Sequence, residues 1–284
     1  MVSFRKMHGL GNDFVVIDGR DNLPVFSCEK IQLVADRHFG VGCDQFIIME
    51  PATNSIADVF MRIYNPDGSE AEACGNATRC IASLLMAETG QDDCIIQTLR
   101  GNLPARAAAN NNVTIDMGEA QLNWQDVPLS HEMDTQNLDI NEGPLRGPIA
   151  VGMGNPHCIF VVDDADAIDL PALGPLVENH AFFPNRTNVE VVSLKADGSL
   201  RLRVWERGAG ITLACGSGAC ATMVAAHLRG LVGRAADIEL NGGTLHMEWL
   251  ENGHVLMTGA VATSFIGELD FSDANYCRFW NGCS

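Results

Sequence analysis

The feature that most constrains this chain is that it contains itself twice. Gly9-Leu10-Gly11-Asn12 returns 143 residues later as Gly152-Met153-Gly154-Asn155. Val34-Ala35-Asp36-Arg37-His38 is echoed by Leu176-Val177-Glu178-Asn179-His180, and Met61-Arg62-Ile63-Tyr64 by Leu202-Arg203-Val204-Trp205. Ala73-Cys74-Gly75-Asn76 then pairs with Ala214-Cys215-Gly216-Ser217, at an offset of 141. Four matches in one order, with an almost constant offset, mark an internal duplication. Whatever one half folds into, the other must fold into as well.

Each half reads as strands around one apolar helix. In the first, residues 14–18 and 58–64 are expected strands, and 29–38 is a helix capped by Ser27. The segment after Cys74 is apolar on most sides until Gly90, as a buried helix is. Strands at 94–98, 103–108 and 113–117 complete the unit. The second half repeats this with strands at 158–162 and 199–205, helices at 170–180 and 216–228, and strands at 237–240, 244–249 and 254–257. A further strand at 261–267 has no unit of its own and is expected to close the first domain's sheet. The predicted class is therefore α+β: two pseudo-symmetric domains, each a mostly antiparallel barrel-like sheet wrapped around a central helix. The first domain would take residues 1–118 plus 260–284, and the second 119–259. Residues 118–149, rich in Asn, Asp, Gln, Pro and Gly, are the expected inter-domain crossing.

With 284 residues, 46% of them hydrophobic, the chain can bury a core in each half. A formal net charge of −18 without a basic stripe makes nucleic acid and anionic membrane surfaces poor partners. No stretch approaches the roughly 20 apolar residues of a membrane span, and residues 1–14 do not read as a secretory signal. A cytoplasmic protein is the expectation. The ten cysteines show no two-residue spacing, which speaks against a zinc ribbon or a redox dithiol. No metal is expected.

Chemistry centres on Cys74 and Cys215. Each is placed where a helix N-terminus lowers a thiol's pKa, and the N–H groups of Gly75, Asn76, Gly216 and Ser217 suit a carboxylate. A lone cysteine at such a place is ordinarily a small buried hydrophobe. The same arrangement in both repeats favours function. Asn12 and Asn155 occupy matching turns, for which turn chemistry alone is a competing explanation. Asn65 and Glu206 hold the matched position before each cysteine motif, so the duplication has diverged there. Arg207 adjoins Glu206, and the two suit a carboxylate and an ammonium group. His157, after Asn155-Pro156, is a candidate to tune a nearby thiol.

The motifs Met7-His8-Gly9-Leu10-Gly11-Asn12-Asp13-Phe14, Gly42-Cys43-Asp44-Gln45, Asn65-Pro66-Asp67-Gly68-Ser69-Glu70, Gly154-Asn155-Pro156-His157 and Trp205-Glu206-Arg207-Gly208-Ala209-Gly210 together resemble the diaminopimelate epimerase family. That resemblance implies interconversion of LL- and meso-diaminopimelate without cofactor or metal, in lysine and peptidoglycan-precursor synthesis. It implies that Cys215 accepts and Cys74 donates the α-proton, and that His157 and Glu206 modulate the sulfurs. It implies substrate contacts from Asn12, Gln45, Asn65, Gly75, Asn76, Asn155, Asn188, Glu206, Arg207, Gly216 and Ser217. It also implies a homodimer, with Phe265 where the family uses a tyrosine at the dimer contact. Ile211 and Cys43 depart from the family's usual Glu and Ala. Pyridoxal phosphate is not expected, since none of Lys6, Lys30 and Lys195 lies in a site-like context. Two other readings stay open: a proline racemase-like enzyme of the same architecture, and a duplicated binding protein whose cysteines are inert.

Overall fold

The computed structural model describes residues 1–22 and 25–271. The first repeat comprises β1 (Val2–Gly9), β2 (Asn12–Asp18), α1 (Cys28–Ala35), β3 (Gln45–Glu50) and β4 (Val59–Tyr64). It continues with β5 (Glu70–Ala71), α2 (Gly75–Thr89), β6 (Asp93–Thr98), β7 (Gly101–Ala107) and β8 (Asn112–Glu119). A small hairpin, β9 (Asn141–Glu142) and β10 (Leu145–Arg146), precedes the second repeat. That repeat runs β11 (Ile149–Gly152), β12 (Pro156–Val161), α3 (Leu170–Glu178), β13 (Asn188–Leu194), β14 (Leu200–Glu206), β15 (Gly210–Ile211) and α4 (Gly216–Leu228). It ends with β16 (Ala235–Leu240), β17 (Gly243–Trp249) and β18 (His254–Ala260), followed by β19 (Ala262–Leu269).

Pairing follows the same path twice. In the first repeat β1 joins β2, β2 joins β3 in parallel, β3 joins β4, β4 joins β6 in parallel, and β7 and β8 follow. In the second, β11, β12, β13, β14, β16, β17 and β18 are connected by the same antiparallel and parallel steps. The two paths meet where β8 pairs antiparallel with β18. Each circuit closes by borrowing from the other half. β18 runs on almost directly into β19, which pairs with β1, as the extra strand was expected to do. Beyond β8, Gln121 and Gly152 exchange backbone hydrogen bonds of 2.9 Å in both directions, tying the chain to β11.

Inside each circuit lies one helix. α2 packs against β1, β6, β7 and β8; α4 packs against β11, β12, β13, β16, β17 and β18. Ala77, Cys80, Ile81, Ala82 and Leu85 of α2 are buried, and in α4 every residue from Gly218 to Ala226 is. A helix apolar all round is stable only when wrapped, which is the service the strands perform. Gly90, in the left-handed region at φ 70°, ends α2 by directing its N–H to Met86 O. Outside the circuits, Ser27 caps α1 by accepting from Lys30 N, and Asp169 caps α3 by accepting from Ala172 N.

Residues 118–149 are more than a crossing. Val127, Leu129, Leu138, Ile140 and Leu145 are buried with Leu170 and Val177 of α3 and the outer face of β12 and β13, forming a second apolar layer. Among the described residues no helix is long and apolar enough to cross a membrane.

Candidate active site

The two cysteine motifs end up side by side because both central helices start at the seam. Cys74 is the N-cap of α2 and Cys215 the N-cap of α4, both in extended backbone. A Cβ built on Gly75 would lie 2.7 Å from Met257 Cε, and one on Gly216 would lie 3.1 Å from Met257 Sδ. One methionine of the seam strand β18 therefore underlies both helix N-termini. Asn76 Nδ2 bridges the halves, donating to Asn12 Oδ1 at 3.1 Å and to Ala214 O at 3.2 Å. Glycine at 75 and 216 leaves room for the methionine side chains packed under the two helix starts.

The surroundings of the two sulfurs differ. Cys74 Sγ is 3.8 Å from Asn12 Oδ1, a carbonyl-type oxygen that only accepts, so the thiol hydrogen points there. Asp44 fixes that amide: Asn12 Nδ2 donates to Asp44 Oδ2 at 2.9 Å, and Asp44 is itself held by Arg37. Cys215 Sγ accepts from Gly218 N at 3.4 Å and lies 3.7 Å from Ser217 Oγ. Glu206, on β14, is hydrogen-bonded to Thr212 and Cys215, and its charge is felt by both thiols.

The thiols are not acidified in this closed site, contrary to the expectation from the helix N-termini. Burial pushes Cys74 up to about 11, against the opposing N–H groups of Ala77 and Asn76. Burial, followed by Glu206 and Glu190, pushes Cys215 well above the ordinary thiol value, against Gly218 N–H and Ser217. The donors expected of a helix start are present; removal of water and nearby carboxylates outweigh them. Glu206 too is raised by burial. Burial thus pushes both sulfurs toward the thiol form, with the Glu206 carboxyl hydrogen-bonded to Cys215.

The remaining candidates make the following contacts. Asn155 Nδ2 donates to Ser217 Oγ at 3.4 Å. Gln45 Nε2 donates to Asn65 Oδ1 at 3.2 Å, while buried Gln45 Oε1 has no partner among the described residues. Asn188 Nδ2 donates to Pro156 O and its Oδ1 accepts Arg207 N, each at 2.9 Å. The Arg207 side chain is exposed and reaches Asn185 O at 3.2 Å. In the matched turns the left-handed positions are taken by Leu10, Gly11 and Gly154, not by the asparagines. Turn chemistry therefore does not account for Asn12 and Asn155. His157 does not touch a sulfur: its Nδ1 is 2.7 Å from Glu190 Oε1 and its Nε2 3.0 Å from Asn155 Oδ1.

Sequence reasoning missed Glu190, Glu178 and the role of Asp44. Glu178, buried at the end of α3, accepts from Trp205 Nε1 at 2.7 Å, Gly208 N at 2.9 Å and Arg186 Nη1 at 3.2 Å, so it anchors the Glu206–Arg207 loop. It stood in the repeat match, where its partner Asp36 merely caps a turn through His38 N and Phe39 N.

The family model described as diaminopimelate epimerase matches residues 4–123 and 149–264. This chain belongs to the diaminopimelate epimerase family. A relative named diaminopimelate epimerase from Rhodospirillum centenum is 57% identical over 267 residues, covering 94% of this chain and 91% of its own. One from Acidiphilium cryptum is 51% identical over 267 residues, 94% of this chain and 96% of its own. Among solved structures, a hydroxyproline epimerase from Agrobacterium vitis with bound trans-4-hydroxy-L-proline superposes with TM-score 0.67 at 16% identity, over 94% of this chain and 91% of that one. A PhzF-family phenazine biosynthesis protein from Enterococcus faecalis gives 0.70 at 14% identity, over 95% and 99%. At such identities the likeness shows a shared fold, that of two repeated sheet-and-helix units. The diaminopimelate epimerase match skips 124–148, the segment that builds the second apolar layer.

Proposed function

We propose that this chain is an isomerase interconverting LL- and meso-2,6-diaminopimelate by a two-base mechanism using Cys74 and Cys215, without cofactor. The observation that carries the reading is the meeting of two cysteine-capped helix N-termini over one methionine, with the Glu206 carboxyl hydrogen-bonded to Cys215 and the Asn12 amide oxygen beside Cys74. The substrate's reacting carboxylate binds the N–H groups at the starts of α2 and α4, including those of Gly75, Asn76, Gly216 and Ser217. Its distal carboxylate and amine fall to Asn12, Gln45, Asn65, Asn155, Asn188, Glu206 and Arg207. Glu206 takes the proton of Cys215. The thiolate then removes the α-proton, the C–H electron pair passes into the carboxylate held by the N–H groups, and Cys74 delivers its thiol proton to the opposite face. Cys215 is then the thiol and Cys74 the thiolate, the state that runs the reaction in reverse with the roles exchanged; return of the Glu206 proton to Cys74 restores the starting thiols. Each N–H aimed at the developing charge contributes about 3 kcal/mol in comparable sites, which a carbon acid this weak requires.

The division into residues 1–118 with 260–284, and 119–259, belongs to the same reading. The β19–β1 pairing supports it as far as Leu269; residues 272–284 lie outside the described residues. We further place the protein in the cytoplasm as a homodimer. Phe265 and Ile266, both exposed on β19, are apolar side chains available to such a contact.

Incubation with LL-diaminopimelate in deuterated water tests the assignment through α-deuterium incorporation, followed by NMR. Incorporation with diaminopimelate is the expected result. Incorporation with proline alone would transfer the assignment to a proline racemase-like activity, and incorporation with neither would leave a binding protein.

A further inference from the structure

His157 and Glu190 are neighbours on β12 and β13, and both are fully buried. One carboxylate oxygen, Oε1, lies 2.7 Å from His157 Nδ1; the other, Oε2, has no partner among the described residues. Strand register identifies what the first repeat has at these places. His157 lies opposite Asn188 as Phe14 lies opposite Gln45, and Glu190 lies opposite Val204 as Ile47 lies opposite Ile63. Phe14 and Ile47 are likewise fully buried, in an apolar core.

A third position changes with them. Gly218 on α4 corresponds to Ala77 on α2. A Cβ at 218 would lie 2.8 Å from Glu190 Oε1 and 3.2 Å from Cys215 Sγ, so the glycine makes room for the carboxylate and sets it just behind the sulfur. Replacing apolar residues by a buried ionisable pair seldom gains stability. Here the same backbone demonstrably accepts Phe, Ile and Ala, so the fold does not call for the pair. The half that carries it is the half whose sulfur is also next to Glu206.

We propose that Glu190 is a positioning residue of the reaction: its buried carboxylate, anchored by His157 and admitted by Gly218, lies behind Cys215 and makes that sulfur the stronger base of the two. This rests on the two-base reading above. From the elements around Cys215, the groups that face it are Glu206 on β14 and Glu190 on β13, with His157 on β12 behind Glu190; across the seam, α2 presents Cys74. Burial, Glu206 and Glu190 all favour the protonated sulfur. A thiolate formed there holds a proton more strongly, and so draws one from carbon more readily.

Glu190→Gln keeps the volume and places an amide N–H toward His157. In this variant the pH midpoint for iodoacetamide alkylation of Cys215, read by peptide mass spectrometry, should fall by on the order of one pH unit. The acidic limb of kcat/KM should fall with it, and the Cys74 midpoint should stay in place. A Cys215 midpoint that stays or rises overturns the proposal. The triple variant His157→Phe, Glu190→Ile, Gly218→Ala copies the first repeat and should melt no lower than the parent. If it fails to fold, the pair is structural and the proposal is wrong. Alkylation and melting need no turnover, so a wrong substrate assignment leaves both readouts able to decide.

Discussion

Replacing Glu178 by alanine should loosen the loop that carries Glu206 and Arg207, and its size can be worked from three contacts. The carboxylate accepts from Trp205 Nε1, Gly208 N and Arg186 Nη1 at 2.7, 2.9 and 3.2 Å. Arg186 is half exposed and rehydrates, so its loss costs little. The Trp205 indole is packed in the second apolar layer, and its N–H loses a charged acceptor. Hydrogen bonds to charged groups are worth about 1.5–3 kcal/mol each. Counting the indole bond in full and the more exposed Gly208 bond in part gives about 3 kcal/mol. At roughly 2–4 °C per kcal/mol for a chain of this order of size, the melting temperature should drop by about 6–12 °C. Because Gly208 N is released, the loop Glu206–Gly210 is no longer pre-arranged, and KM for diaminopimelate should rise by about tenfold, equivalent to about 1.4 kcal/mol. Calorimetry and steady-state kinetics measure the two effects separately. Glu178→Gln, which keeps one acceptor oxygen, should fall between parent and alanine variant. A melting temperature within 2 °C of the parent, together with an unchanged KM, would refute the anchoring role.

Cys74→Ala and Cys215→Ala should each reduce epimerisation to background while circular dichroism and melting stay close to the parent; full activity in either variant excludes a two-base mechanism. Gly75→Ala introduces a Cβ 2.7 Å from Met257 Cε and 2.9 Å from Met117 Cε. The gain in helix propensity, about 1 kcal/mol, partly offsets an overpacking cost of about 1–3 kcal/mol, so stability should move little. Turnover should fall at least tenfold, because the N–H groups after Gly75 shift; an unchanged kcat would show that their placement is unimportant. Burial raises the Asp13 carboxyl, but hydrogen bonds and charge from Arg37 and Lys6 outweigh it and hold the group well below the usual carboxylate range. A depressed folded pKa stabilises above the unfolded value of about 3.9 and is lost as pH falls toward the folded one. The melting-temperature gap between parent and Arg37→Ala should therefore be widest above about pH 5 and narrow on acidification; a gap independent of pH contradicts this account of Asp13.

The duplication and its two apolar helices were legible because their signals are local: α4 has the predicted bounds, Gly216–Leu228, and α2 ends at Gly90. β3 and β13 were not read as strands, although they carry Gln45 and Asn188. Both are parallel partners, of β2 and β12, and buried on both faces, so the alternation that betrays a half-exposed strand is missing. The hairpin and buried leucines within residues 127–145 were hidden by polar composition, since a few apolar anchors suffice to pack a loop onto α3. Around the site, the two Gly-x-Gly-Asn motifs marked turns, whose left-handed positions fall on Leu10, Gly11 and Gly154. The sign of the thiol shifts could not be read, because it depends on how completely the two halves exclude water from Cys74 and Cys215.

Under the two-base mechanism proposed above, equal placement and unequal surroundings answer two separate requirements of one reaction. Taking a proton from one face of a carbon and returning it to the other needs two groups at matched depth on opposite sides. A duplicated helix start supplies that geometry without further selection, because Cys74 and Cys215 inherit the same N-cap. Two sulfurs in the same environment, with one proton between them, would leave undecided which is the acid and which the base. An acid and a base must coexist. The divergence meets that need: helix-start N–H groups face both sulfurs, but the Asn12 amide oxygen faces Cys74 where the Glu206 carboxyl faces Cys215. It follows that a substitution making the two surroundings alike, such as Glu206→Asn after its partner Asn65, should harm turnover far more than stability. The sulfurs would remain in place, but Cys215 would have lost the group that receives its proton.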